Sequence, residues 1–169
     1  MELLIVRHGP AGNAAEKDAW RRAGRPDSTR PLTNDGRRRT RAAAAGLARV
    51  VSDFGLVATS PYARAAQTAK LVAKALRADL VECAALIPGR PLEEALAWLR
   101  SRDEDKIALV GHEPHLSRFA CFLMTGRDGA FLSLKKPQAL LLELGAVVPG
   151  RARLIWSLPP RQLRALGGD

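Results

Sequence analysis

Cysteine is nearly absent from this chain: Cys83 and Cys121 are the only two in 169 residues. Both stand among apolar neighbours, so they read as small buried hydrophobes, and neither a disulfide framework nor a zinc-type spacing exists. Long apolar runs are missing too. The first hydrophobic segment, residues 3–6, stops at Arg7, far short of a signal-peptide core or a membrane span, and no later run approaches a span. The expected compartment is the cytoplasm, with no membrane partner. Aromatic residues make up only 5%, and none are interleaved with basic residues as a stacking surface for nucleic acid requires. Acidic residues are outnumbered, 17 against 27 lysines and arginines, giving a net charge of +10. That excess admits an anionic partner (phosphate, phosphoprotein, nucleic acid or membrane surface) and selects none of them.

What is present is an ordinary apolar fraction of 47% in a chain the size of one domain, so a single domain over residues 1–169 is expected. Short apolar runs at residues 3–6, 56–60, 80–83, 106–111, 138–144 and 152–157 read as strands. Helical patterns lie between them: 33–50, with Thr33 at the N-cap, 61–76, 91–100 and a helix opening at Pro114. The polar stretch from Gly9 to Pro31 carries Gly12, Gly24 and Pro26 and reads as a loop or broken lid. The arginines of Arg37-Arg-Arg-Thr-Arg41 fall on the wet face of their helix. Strands alternating with helices predict an α/β three-layer sandwich, a mostly parallel sheet with helices on both faces, made mixed by a late antiparallel pair.

In such sheets functional residues gather at the carboxyl ends of strands. Three strand ends carry them: Arg7-His8-Gly9, Ser60-Pro-Tyr-Ala-Arg64, and Gly111-His112-Glu113-Pro-His115. Together they predict two arginines and two histidines at one sheet edge. Arginine offers forked donors to phosphate oxygens, and a neutral imidazole nitrogen attacks phosphorus to form a covalent intermediate. Cationic repulsion from the arginines is expected to keep that imidazole neutral. Phosphoryl transfer otherwise needs positioning and charge stabilisation, so no metal and no cofactor are expected.

Arg7-His8-Gly9, Ser60-Pro-Tyr-Ala-Arg64-Ala-Ala-Gln-Thr-Ala69 and Gly111-His112-Glu113-Pro-His-Leu116 together resemble the histidine phosphatase superfamily, with its phosphoglycerate mutase-like fold. Arg30-Pro-Leu-Thr-Asn-Asp-Gly36, Leu134-Lys-Lys-Pro137 and Trp156-Ser-Leu-Pro159 look like its SixA-type phosphohistidine phosphatases. The resemblance implies that His8 is transiently phosphorylated while Arg7, Arg64 and His112 hold the phosphoryl oxygens, with Gly9 allowing the phosphate close approach. Arg30 is a further candidate for substrate contact, or equally a loop anchor.

Two departures follow. Where mutases and broad phosphatases of the superfamily carry an acid after the third strand, this chain reads Leu86-Ile87-Pro88, and Asn13 falls one residue short of a position where they carry asparagine. An alkoxide leaving group needs a proton that imidazole leaving phosphohistidine does not need to the same degree. The sequence therefore leans to P–N cleavage in a phosphorylated protein such as a phosphorelay histidine domain. A small phosphoester or nucleotide is the alternative substrate, and a nucleic-acid-binding or phosphoprotein-binding module is a remoter reading. Glu113 reads equally as a substitute proton donor or as a cap of the following helix, and His115 as support in its first turn.

Overall fold

The structure, a computed structural model, describes residues 1–168; residue 169, the last of the expected domain, lies outside the described residues. Six strands form one sheet: β1 (Glu2–Arg7), β2 (Leu56–Thr59), β3 (Asp79–Glu82), β4 (Lys106–Gly111), β5 (Ala139–Leu144) and β6 (Ala152–Leu158). Their spatial order is β3-β2-β4-β1-β5-β6. The first four strands are mutually parallel, β5 runs antiparallel to β1, and β6 antiparallel to β5. The mixed sheet with a late antiparallel pair is the one the strand pattern predicts.

Alternation along β1 divides the core. Leu3 and Ile5 face one side, with Leu92, Leu96, Leu116 and Phe119 from α4 (Leu92–Arg100) and α5 (His115–Thr125). Leu4 and Val6 face the other, with Ala43, Leu47, Val72 and Leu163 from α2 (Asn34–Leu47), α3 (Ala63–Leu76) and α6 (Pro160–Gly167). All four β1 side chains are at most 1% exposed, and each stabilises the fold by about 1.5–3 kcal/mol of transferred apolar surface. A strand buried on both faces is a rigid mount for whatever follows its last residue.

Two elements differ from expectation. Residues 9–31 are no plain loop: they hold α1 (Ala14–Arg22) and a single 3-10 turn, Asp27–Thr29. Asn13 starts α1 through a capping box, its side chain accepting from the Glu16 amide while the Glu16 carboxylate accepts from the Asn13 amide. The other addition is α6, which packs on α2 where Gly46 leaves no room for a side chain: a Cβ there would meet the Leu163 carbonyl at 1.9 Å. Cys83 and Cys121 are free and buried, as expected of small hydrophobes. Among the described residues no helix is long and apolar enough to cross a membrane.

Candidate active site

The register sets the site. Arg7 at the end of β1 lies opposite Gly111 at the end of β4, and Thr59 of β2 lies opposite Val110. The next residue of each strand therefore emerges at one edge. The His8 amide donates to the Gly111 carbonyl, 3.0 Å, and the Ser60 amide to the Val110 carbonyl, 3.0 Å, so the strand pairing continues one step into the loops that follow. There a cavity of about 500 Å³ opens, lined by Arg7, His8, Arg64 and His112 and, around them, by Arg30, Asp27, Tyr62, Pro88, Glu113 and Lys136.

His8 is 4% exposed. Its Nδ1 lies 2.7 Å from the Gly9 carbonyl oxygen, which only accepts, so Nδ1 carries the proton and Nε2 keeps its lone pair. Arg64 Nε donates to that Nε2 across 3.3 Å. Burial first, then the neighbouring His112 charge and, against the opposing Gly9 hydrogen bond, those of Arg64 and Lys136, pushes the His8 pKa down to about 2. The ring is neutral at physiological pH as expected, though burial does more than the arginines.

Gly9 is closely packed on both sides. Its amide donates to Thr68 Oγ1, 3.0 Å, and a Cβ at this position would meet Thr40 Oγ1 at 2.0 Å. Packing against α2 thus disfavours a side chain here, and the Gly9 N–H is turned to Thr68 of α3.

Arg64 sits in the first turn of α3, 5% exposed. Its Nη1 and Nη2 donate to the Asp27 backbone carbonyl, 2.8 Å, and to Asp27 Oδ2, 2.9 Å. Asp27 Oδ1 accepts from Arg30 Nε at 3.0 Å, and Arg30 Nη1 also donates to the Ala11 carbonyl. Burial pushes the Asp27 carboxyl up, but hydrogen bonds and charges from Arg30 and Arg64 outweigh it and hold it below the usual carboxylate range. Arg30 thus anchors its loop and lines the cavity at once.

On the opposite wall His112 is 2% exposed, its ring centroid 5.0 Å from that of His8. His112 Nε2 pairs with Ser60 Oγ at 3.0 Å, and its Nδ1 has no partner among the described residues. Burial, then the Arg64 charge, lowers its pKa to about 3, against the opposing charge of Asp27. Arg7 is latched by the segment ahead of β5: its amide donates to the Gln138 carbonyl, 3.0 Å, and Nη1 to the Leu134 carbonyl. That segment carries Lys136, half-buried, whose ammonium burial and the charges of Arg7, Arg30, Arg64 and Lys17 push down from its ordinary pKa.

Glu113 does not cap α5. The N-cap is Pro114, without a side-chain bond to the helix amides, and Glu113 Oε2 accepts from Ser117 Oγ, 2.7 Å, while Oε1 is buried and unpaired. Its charge supports the Arg7 guanidinium. His115 is the first residue of α5, 2% exposed, with neither ring nitrogen hydrogen-bonded among the described residues. Arg7, His8, Arg30, Arg64, His112 and Glu113 therefore line one cavity. Asp27 and Lys136 join them without having been singled out. The signal for Lys136 is that an antiparallel strand begins at the edge where parallel strands end, which places residues just before β5 beside Arg7. Among the described residues no three His, Cys, Asp or Glu side chains gather as a metal site.

A positively charged cavity with a buried neutral imidazole whose lone pair faces an arginine is fitted to hold and attack a tetrahedral anion. Comparison with known proteins agrees. The profile of the histidine phosphatase superfamily (branch 1) matches residues 3–87. An uncharacterised protein of Picosynechococcus sp. (strain ATCC 27264 / PCC 7002 / PR-6) is 36% identical over 150 residues, 86% of this chain and 87% of that protein. In fold, the chain is similar to the protein histidine phosphatase SixA complexed with tungstate, with a TM-score of 0.79 at 24% identity over 96% of this chain and 99% of that one. It is also similar to a mycobacterial glucosyl-3-phosphoglycerate phosphatase complexed with VO3, with a TM-score of 0.71 at 15% identity over 94% and 99% of the two chains. The chain belongs to the histidine phosphatase superfamily.

Proposed function

We propose that this phosphatase hydrolyses phosphohistidine in a partner protein through a covalent phosphohistidine intermediate on His8. His8 Nε2 attacks phosphorus in line with the leaving group, while Nδ1–H stays on the Gly9 carbonyl and fixes the ring. Arg64, already at Nε2, moves with the phosphoryl group, and Arg7 and His112 hold the remaining oxygens as they gather charge. Lys136 adds a further cation to that clamp. Water then attacks the phosphorylated ring and phosphate leaves. No step calls on a metal.

The observation that carries the substrate class is Pro88. It lines the cavity in the stretch where the superfamily's ester-cleaving members carry their acid, and a proline donates no proton to an alkoxide. Imidazole is the leaving group that tolerates this. A phosphorelay histidine domain has the chemistry required of the partner.

Lys17 and Lys136 favour a second reading. Both line the cavity without an ion-pair partner among the described residues, and a small phosphoester or nucleotide with a second anionic group fits two such ammonium groups. Phosphate release from a phosphohistidine protein and from p-nitrophenyl phosphate, each with a nucleotide monophosphate as competitor, separates the readings. The first expects phosphohistidine to be preferred and the nucleotide to compete poorly; preference for either ester overturns it.

A further inference from the structure

Cleaving a P–N bond poses a proton problem away from the bond itself. If the far ring nitrogen of the substrate is bare, imidazolide must leave, a very strong base; if it carries a proton, neutral imidazole leaves. A phosphohistidine phosphatase therefore gains by holding that far N–H. The enzyme's own ring shows the arrangement: His8 Nδ1–H rests on the Gly9 carbonyl, 2.7 Å, so a phosphoryl group on Nε2 leaves a protonated, acceptor-held ring. The substrate ring, on the other side of phosphorus, needs an acceptor as well.

Two carboxylates line the cavity, Asp27 and Glu113. Glu113 is engaged by Ser117 Oγ through Oε2, and its Oε1 is buried. The Asp27 side chain is 40% exposed. Each of its oxygens accepts one arginine bond, Oδ1 from Arg30 at 3.0 Å and Oδ2 from Arg64 at 2.9 Å, and a carboxylate oxygen has room for a second donor. Asp27 is one guanidinium away from the attacking nitrogen, since Arg64 reaches His8 Nε2 with Nε and Asp27 with Nη2. The two arginines offset its charge against an incoming phosphoryl dianion.

We propose that Asp27 determines specificity for phosphohistidine by accepting the far ring N–H of the leaving imidazole. This inference rests on the reading of His8 as nucleophile toward phosphohistidine. The His8 Nε2 lone pair forms the new P–N bond as the substrate P–N bond breaks, and the electron pair of the broken bond stays on the departing nitrogen. The proton on its far nitrogen remains there, held by Asp27, so neutral imidazole departs and His8 becomes the protonated phosphohistidine. Hydrolysis by water returns His8 to its neutral form and yields dihydrogen phosphate.

The test compares wild type, Asp27→Asn and Asp27→Glu on a histidine peptide phosphorylated with phosphoramidate and on p-nitrophenyl phosphate, between pH 6 and 8. At pH 8, Asp27→Asn should lose at least about tenfold more kcat/KM on the phosphopeptide than on the aryl ester. That excess loss should shrink toward pH 6, because solvent then protonates a ring with an ordinary pKa of ~6.5, while Asp27 faces the guanidiniums of Arg30 and Arg64 and the His112 ring, whose pKa is lowered to about 3 so that it stays neutral across this range. Asp27→Glu, which keeps the charge, should recover part of the selectivity. Equal losses on both substrates at every pH would show that Asp27 only positions Arg64 and overturn the proposal, as would an Asp27→Glu enzyme no more selective than Asp27→Asn. A wild type that cleaves the ester and not the phosphopeptide defeats the underlying reading instead.

Discussion

Arg64 Nε points at the lone pair of His8 Nε2 from 3.3 Å. The nitrogen proposed to attack and the guanidinium proposed to bind phosphate are thus in contact before any substrate arrives, with Asp27 holding the other end of the same guanidinium. This contact is preorganisation: little of the clamp remains to be ordered when phosphorus comes into place.

Removing that clamp should be expensive and hard to replace. Arg64→Ala is expected to lower kcat by about 10²–10³-fold. Arg64→Lys should recover little, because one ammonium cannot bond to Asp27 through two nitrogens and reach His8 with a third. Steady-state phosphate release for the two variants checks this, and recovery by lysine to near wild-type rates would contradict it.

Lys136 should report on anion binding more than on folding. It is half-buried among Arg7, Arg30, Arg64 and Lys17, with no ion-pair partner among the described residues. Lys136→Met is expected to weaken inhibition by tungstate or vanadate about tenfold while leaving the melting temperature equal or slightly higher, since cationic crowding is relieved. A large fall in melting temperature with unchanged inhibition would place Lys136 in the structure and not in the clamp.

All three histidines of the chain, His8, His112 and His115, are buried with lowered pKa values. Below pH ~6.5 the unfolded chain binds protons that the folded one refuses, so stability is fully present above that pH and is lost as pH falls. Toward pH 4, His8 and His112, whose pKa values are lowered to about 2 and about 3, should bring the slope toward two protons, about 2.7 kcal/mol per pH unit, with His115 adding to it. Denaturant unfolding across pH 4–7.5 measures it. His115→Leu should reduce the slope and, by removing two unpaired ring nitrogens, raise stability by about 1–3 kcal/mol.

Much of this site is legible in the sequence because it follows the period of the sheet. Arg7-His8, Ser60 and Gly111-His112 stand where apolar runs stop, and parallel strands bring those stops to one edge. The helix Ala14–Arg22 is not legible in that way: none of its residues is buried, so it has no apolar stripe to read, and only the Asn13 and Glu16 capping box marks its start. Lys136 and Asp27 escape for another reason. They lie in a loop and a single 3-10 turn whose place depends on non-local bonds, from Arg7 to the Leu134 and Gln138 carbonyls and from Arg64 to Asp27.

Two physical reasons for glycine at position 9, packing against α2 and room for a phosphate, are separable by mutation. Gly9→Ala should destabilise the protein by about 1–3 kcal/mol through the clash with Thr40 Oγ1. Adding Thr40→Ala should recover part of the loss. If the double variant regains both stability and activity, packing against α2 is the constraint; stability without activity would assign Gly9 to the phosphate instead.

The central claim is that His8 carries the phosphoryl group. Rapid-quench mass spectrometry under alkaline conditions, after mixing enzyme with a phosphohistidine protein, tests it most directly. The account predicts one phosphoryl group on the wild-type enzyme, located at His8, and no adduct and no turnover in His8→Ala. Undiminished phosphate release by His8→Ala, or a phosphoryl group trapped on a different residue of the wild type, would contradict it.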